Sequence, residues 1–330
     1  MDKKAVVKAA VAHQETDHVP YHLDYAPPTI QRLQEHYGVE DIESVVGSYL
    51  VWLVPPKDWQ VVGENLERDE FGVVWSTNEV NRGYAADHPL KEPSLTGYAF
   101  PEYDRAERYA FLTDAVQKHK DLFIVVVVGD LLERAGFLRG LDNILMDLHM
   151  NPEFVEDLLD GLTDMIVENI KEVCRYDVDG LFLSDDYGLQ RGPMMRPEMW
   201  ERFLQPRVAR IFGAMKSGGK TAILHSCGNV RAFIPGLIEA GLDVLHPIQP
   251  EAMDIYELKE QFGGRLCFYG GVRTQSTLPF CTPAEVKAEV RAVAERMSVG
   301  GGFILGPGIT LQHDVPLENL LAFIEAAQSL

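Results

Sequence analysis

Lys120-Asp121-Leu122-Phe123-Ile124-Val125-Val126-Val127-Val128-Gly129-Asp130 is the stretch on which the fold turns. Its apolar run is too short for a free-standing helix and too uniform for a strand with one wet face. A continuous β-branched run suits a parallel strand buried on both faces, and such strands need helices around them. The run then stops on a glycine and a carboxylate.

Similar short runs lie at residues 19–24, 48–53, 180–184, 221–224, 243–246, 266–269 and 302–305, with amphipathic segments between them. Helix starts are marked by Asn151-Pro152, Asp254-x-x-Glu257 and Thr282-Pro283-x-Glu285, and helix ends by Gly218-Gly219 and Gly263-Gly264. Strands alternating with helices in this number predict an α/β fold, a closed (β/α)8 TIM barrel. An open doubly wound sheet would want a glycine-rich phosphate loop after its first strand, and Val19-Pro20-Tyr21-His22-Leu23-Asp24-Tyr25 has none. We expect one barrel domain over residues 1–330, with 54–120 an irregular insertion beside the mouth. Within it, Asp69-Glu70-Phe71-Gly72-Val73-Val74-Trp75 reads as a hairpin.

A formal charge of −20 argues against nucleic acid, whose phosphates demand Lys and Arg. It also disfavours anionic membranes and polycarboxylate substrates. The expected ligand is small and neutral or weakly charged, and a partner protein or a homo-oligomer is compatible with the charge. Four scattered cysteines form no disulfide framework. Met1-Asp2-Lys3-Lys4 opens a mixed helix without a signal-peptide core, and no apolar run approaches membrane length, so a soluble cytoplasmic protein is expected.

In barrels of this kind, reactive groups gather where strands end and βα loops begin. His22, Asp24 and Trp52 fall there, as do Glu133, Asp186 and Tyr187, then Gln249, Tyr269, Arg273 and Gln275, and finally His313. Asp185 and Asp186 are adjacent at a strand end, so only one of them reaches the mouth. His225-Ser226-Cys227-Gly228-Asn229 carries the sharpest signal. Period-2 alternation puts His225 and Cys227 on one face, which is half of a tetrahedral zinc site. An isolated His-x-Cys is more often a buried cysteine beside a hydrogen-bonded histidine; its place at the rim raises the metal reading. Cys267, which has the inward parity of Tyr269, is expected as a further ligand, with His313, His246, Glu133 and Asp186 as alternatives.

Leu183-Ser184-Asp185-Asp186-Tyr187-Gly188-Leu189-Gln190, His225-Ser226-Cys227-Gly228-Asn229, Phe268-Tyr269-Gly270-Gly271-Val272-Arg273-Thr274-Gln275 and the ending Gln312-x-Asp314-Val315-Pro316-x-Glu318-Asn319 together resemble the uroporphyrinogen decarboxylase superfamily. The resemblance implies the (β/α)8 fold. True decarboxylases carry an arginine-rich segment after the first strand that grips porphyrinogen carboxylates. Here the first arginine in the chain is Arg32, so porphyrinogen decarboxylation is disfavoured.

The chain resembles instead the corrinoid-dependent methyltransferase branch. That likeness implies methyl transfer involving cobalamin carried by a separate corrinoid protein, since no Asp-x-His-x-x-Gly motif occurs here. Coenzyme M-type members hold zinc with the His-x-Cys pair and a later cysteine in Gly-Pro-Gly-Cys; this chain reads Gly306-Pro307-Gly308-Ile309. The leading expectation is demethylation of a small O-methyl substrate, such as an aryl methyl ether, or of an N-methyl substrate. His225, Cys227 and Cys267 would hold zinc. Asp186, Glu133, Tyr269 or His313 would serve proton transfer, and His22, Asp24, Trp52, Tyr187, Gln249, Arg273 and Gln275 would bind the substrate. The alternatives are transfer from methylcobalamin to a thiol or folate, and a non-catalytic docking barrel.

Overall fold

The computed structural model describes residues 2–77 and 83–330. Seven strands form one parallel sheet in chain order: β1 (Leu50–Leu53), β2 (Phe123–Gly129), β3 (Gly180–Ser184), β4 (Thr221–His225), β5 (Val244–Ile248), β6 (Cys267–Val272) and β7 (Phe303–Pro307). The expected strand at 19–24 is reduced to isolated bridges at Tyr21 and Tyr25. Pro20 has no N–H to offer a ladder. The segment still closes the ring. Leu305 N donates to Pro20 O at 2.8 Å and His22 N to Leu305 O at 3.0 Å, while Tyr49 N donates to Tyr21 O at 2.9 Å on the β1 side. The architecture is a TIM-barrel-like α/β fold whose first position is occupied by this segment.

Burial on both faces is met residue by residue in β2. Phe123 and Val125 join the barrel interior, whereas Ile124, Val126 and Val128 pack under the helices. The same alternation sends Phe182, Ile223, Val244, Cys267, Tyr269 and Ile304 inward. The sequence-placed strands 243–246 and 266–269 run further than expected, to Ile248 and Val272. Gly270 and Gly271 therefore lie inside β6 rather than in a loop. A Cβ at Gly270 would stand 3.0 Å from Ile248 N, so strand contact explains the glycine.

Helix starts hold unevenly. Thr282 forms the full capping box with Glu285, and Asp254 accepts from Tyr256 N and Glu257 N. Asn151 makes no cap bond; its amide turns back to Asp147 Oδ1 at 2.7 Å. Among the described residues, no helix is long and apolar enough to cross a membrane.

The insertion is more regular than expected. Trp59–Gly63, Leu66–Asp69, Val74–Ser76 and Tyr84–Asp87 form an antiparallel sheet, with the anticipated hairpin at its centre; residues 78–82 lie outside the described residues. Asp69 pins it. The carboxylate accepts from Phe71 N, Val73 N and Trp75 Nε1, and from Arg134 Nη1 at 2.9 Å. Arg134 is 3 % exposed, bonds Asp130 as well, and lies over the Phe71 ring at 4.4 Å. A buried guanidinium needs this full set of partners, because stranding one costs several kcal/mol.

Candidate active site

Two loops build the site. One leaves β3 as Asp185-Asp186-Tyr187-Gly188, and the other leaves β4 as Ser226-Cys227-Gly228-Asn229. Asp185 N donates to His225 O at 3.1 Å, Asn229 N to Leu189 O at 2.8 Å, and Tyr187 N to Ser226 Oγ at 2.8 Å. These bonds hold the loops in contact.

The paired aspartates diverge. Asp185 is fully buried and accepts from Leu132 N at 2.9 Å and Glu133 N at 2.7 Å, capping the helix Leu132–Arg139. Burial pushes its carboxyl up to about 8, against the pull of those N–H groups. Asp186 turns to the mouth instead. Its Oδ1 accepts from Cys227 N at 2.7 Å and lies 3.6 Å from His225 Nε2. That same nitrogen is 3.4 Å from Cys227 Sγ. The donor atoms of Asp186, His225 and Cys227 all lie within 4.8 Å of one another.

Imidazole nitrogen, thiol sulfur and carboxylate oxygen are all accepted zinc donors. A tetrahedral ion with bonds of 2.0–2.3 Å separates its ligands by roughly 3.3–3.8 Å. The separations of 3.4 and 3.6 Å fall in that range. The set fits zinc. Gln249 supports it from β5's end, accepting from Gly228 N at 2.6 Å and aiming its amide at Cys227 Sγ, 3.7 Å away.

Beneath the donors lies a floor of rings. His225 Nδ1 is 3.1 Å from His246 Nδ1, the His246 and Tyr269 rings are centred 4.4 Å apart, and Tyr269 Oη is 2.5 Å from His22 Nδ1. Trp52 packs on His22, Phe182 and His246. Burial lowers His22 to about 3 and holds His246 well below the ordinary imidazole range, so the floor is neutral. Gly306 makes room for it: a Cβ there would meet Tyr269 Cε2 at 2.8 Å.

Above the floor opens a cavity of 350 Å³, with His225, Asp24, Trp52 and Phe182 in its lining. The insertion supplies a wall through Phe71, Tyr103 and Arg108, whose guanidinium is bidentate to Glu70 at 2.7 and 2.8 Å. A second cavity of 230 Å³ touches Asp186 and Glu133 and is otherwise largely apolar.

The family model described as uroporphyrinogen decarboxylase (URO-D) matches residues 107–330. The chain belongs to the URO-D family. Among relatives, a Methylcobamide:CoM methyltransferase MtaA from Methanosarcina barkeri is 22% identical over 253 residues, covering 72% of this chain and 71% of that protein. A uroporphyrinogen decarboxylase from Actinobacillus succinogenes is 19% identical over 191 residues, covering 58% of this chain and 52% of that protein. A solved methyltransferase from Methanosarcina mazei superposes with a TM-score of 0.77 at 20% identity, covering 100% of this chain and 99% of the other, a likeness of fold.

Within this URO-D family protein, the expected site residues separate. His225, Cys227 and Asp186 converge, Gln249 contacts Cys227, and Asp24 and Trp52 line the cavity that His225 enters. Cys267 does not join them. Its parity is inward, but it pairs with Val244, which is in register with Ile223, two residues before His225. There it is fully buried, and burial pushes its thiol up to about 12. Tyr269 and His22 form the floor rather than the cavity wall. Tyr187 faces away, packed against Trp200 and Phe233. Arg273 pairs with Glu289, and exposed Gln275 bonds Gln190 and Glu251. His313 is exposed, with its carbonyl held by Arg32. All four lie in the chain beyond the last residues of β3, β6 and β7, where strand parity no longer sets the side-chain direction. Among the cavity residues not anticipated, Phe71, Tyr103 and Arg108 come from the insertion, Phe182 from β3 and Thr310 from beyond β7. For Phe71 and Tyr103 the aromatic richness of 54–120 is the sequence signal.

Proposed function

We propose that the chain is a corrinoid-dependent methyltransferase, taking a methyl group from a small O-methyl substrate, such as an aryl methyl ether, or an N-methyl substrate, to the cob(I)alamin of a separate corrinoid protein. Similarity to methyltransferases within the URO-D family supports methyl transfer. The convergence of Asp186, His225 and Cys227 at the mouth is the observation that carries the site assignment.

In demethylation the bond between methyl carbon and oxygen breaks, the methyl passes to the partner's cobalt(I), and the leaving oxygen takes a proton. Asp186, His225 and Cys227 would hold zinc, which supplies Lewis acidity toward that oxygen. Gln249 orients the Cys227 loop. Trp52, Phe71 and Phe182 offer faces for an arene. Asp24 is the best-placed proton donor: it lines the cavity, accepts from Thr310 Oγ1, and has its carboxyl raised by burial. Glu133 and Asp186 face the second cavity, whereas Tyr269 and His313 lie away from both cavities' linings.

The reverse reaction, methylcobalamin to a thiol, is favoured by the name of the Methanosarcina barkeri relative. Against it stands the donor set. A single thiolate with imidazole and carboxylate is harder than the sulfur-rich sets that sustain a nucleophilic bound thiolate. Metal analysis with a methyl-donor and thiol screen, run with a corrinoid protein, tests both. His225→Ala and Cys227→Ala proteins that stay folded should lose metal and at least about 100-fold in turnover; full turnover in both removes the metal role.

A further inference from the structure

His225 and His246 face each other through like atoms. Their Nδ1 nitrogens are 3.1 Å apart, and a hydrogen bond at that distance needs one proton between two lone pairs. Either ring could carry it. The other end of His225 decides. Its Nε2 points at Cys227 Sγ and Asp186 Oδ1, at 3.4 and 3.6 Å, so a metal there requires a lone pair on Nε2. The proton of neutral His225 must then sit on Nδ1, with His246 Nδ1 as acceptor.

We propose that His246 is the positioning residue of the metal centre: it accepts the His225 Nδ1–H bond, fixing the tautomer and ring orientation that present Nε2 to the ion. Nothing in this role needs His246 to touch metal or substrate. Its surroundings suit the task. The ring is 4 % exposed and wedged by Trp52 at 4.9 Å and Tyr269 at 4.4 Å, so it cannot swing to another partner. Adjacent strands β4 and β5 hold His225 and His246 in direct register. Hydrogen-bonded partners of metal-bound imidazoles commonly change metal affinity 10–100-fold.

The inference rests on the zinc reading of the donor triad, and its test separates the two. Nitrogen-15 NMR of metal-free protein reports which His225 nitrogen carries hydrogen; zinc affinity is measured by chelator competition. Wild-type protein should show His225 protonated at Nδ1 and bind one zinc. His246→Gln, whose amide oxygen can still accept, should keep the tautomer and lie within about threefold of wild-type affinity. His246→Phe should lose the Nδ1 tautomer and at least about tenfold in affinity. An unchanged tautomer and affinity in folded His246→Phe, or an Nε2–H tautomer in wild type, overturns the positioning role. Wild-type protein with the Nδ1 tautomer but no zinc binding overturns the metal reading alone. If His246→Phe does not fold, the wild-type tautomer and the His246→Gln affinity still decide.

Discussion

Gly188 and Gly228 pack backbone against backbone: a Cβ on Gly188 would lie 2.6 Å from Cys227 O, and one on Gly228 would lie 2.5 Å from Gly188 C. Gly228 also has φ +78°, where side chains are strained. Both loops that carry donors are thus fixed by the absence of two methyl groups. Gly228→Ala should destabilise the fold by about 2 kcal/mol or more and weaken zinc binding, because relief of the clash moves Cys227. Urea unfolding together with metal titration checks this. Wild-type values in both would show that the loops are free to part.

Adjacent aspartates should respond in opposite ways. Asp185 satisfies two buried N–H groups at the start of Leu132–Arg139. Asp185→Ala leaves them unpaired and should cost about 2–3 kcal/mol of stability. Asp186 is half-buried beside Cys227 and His225, so Asp186→Asn should change stability by about 1 kcal/mol or less while lowering zinc affinity and turnover. Denaturant midpoints compared with metal content distinguish a cap from a ligand.

Cys267 supplies a sharper contrast with Cys227. It lies two residues below the donor level and has no donor atom in the triad. Cys267→Ala should keep full zinc content and lose only about 1 kcal/mol of stability through the small void it leaves. Cys227→Ser should do the reverse. Loss of zinc from Cys267→Ala would return it to the ligand set.

Val125 and Ile124 could only belong to a strand wet on neither face, so β2 was readable, and the barrel with it. His225 and Cys227 share a face by parity alone. Height along the barrel axis is a different quantity, set by strand stagger, and parity is blind to it. That is why Cys267 and Asp186 exchanged places. Tyr187 was misplaced because β3 ends at Ser184, so strand parity no longer holds where its ring turns to Trp200 and Phe233. The strand expected at 19–24 is only a pair of isolated bridges, because Pro20 removes a ladder donor, although its carbonyl still closes the ring. Phe71, Tyr103 and Arg108 reach the mouth through tertiary docking of the insertion, pinned by Asp69 and Arg134, which no local pattern encodes.

The neutral floor predicts acid sensitivity. Burial depresses His22 from 6.5 to about 3, so the folded state excludes a proton that the unfolded chain binds. Its stability contribution is intact above pH 6.5 and falls as pH drops from 6.5 toward 3, by up to about 1.4 kcal/mol per pH unit. His22→Gln removes that titration. The wild-type and variant unfolding free energies should converge as pH falls from 7 to 4, through a loss in the wild type that the variant lacks. Parallel curves over that range would mean that His22 takes up its proton in the folded protein at the same pH as in the unfolded chain.

Asp24 offers the most direct test of how the leaving group departs. It shares the 350 Å³ cavity with His225, and Thr310 Oγ1 donates to one of its oxygens. Burial raises its carboxyl, which favours the protonated form that a general acid must offer. A poor leaving group needs that proton in the transition state; a good one does not. Asp24→Asn should therefore lose about 100-fold or more in demethylating an aryl methyl ether of a weakly acidic phenol. With a nitro-substituted aryl methyl ether, whose phenolate leaves unaided, the loss should be within about threefold. Zinc content should not change. An equal loss with both ethers would assign Asp24 to holding the cavity together rather than to proton delivery.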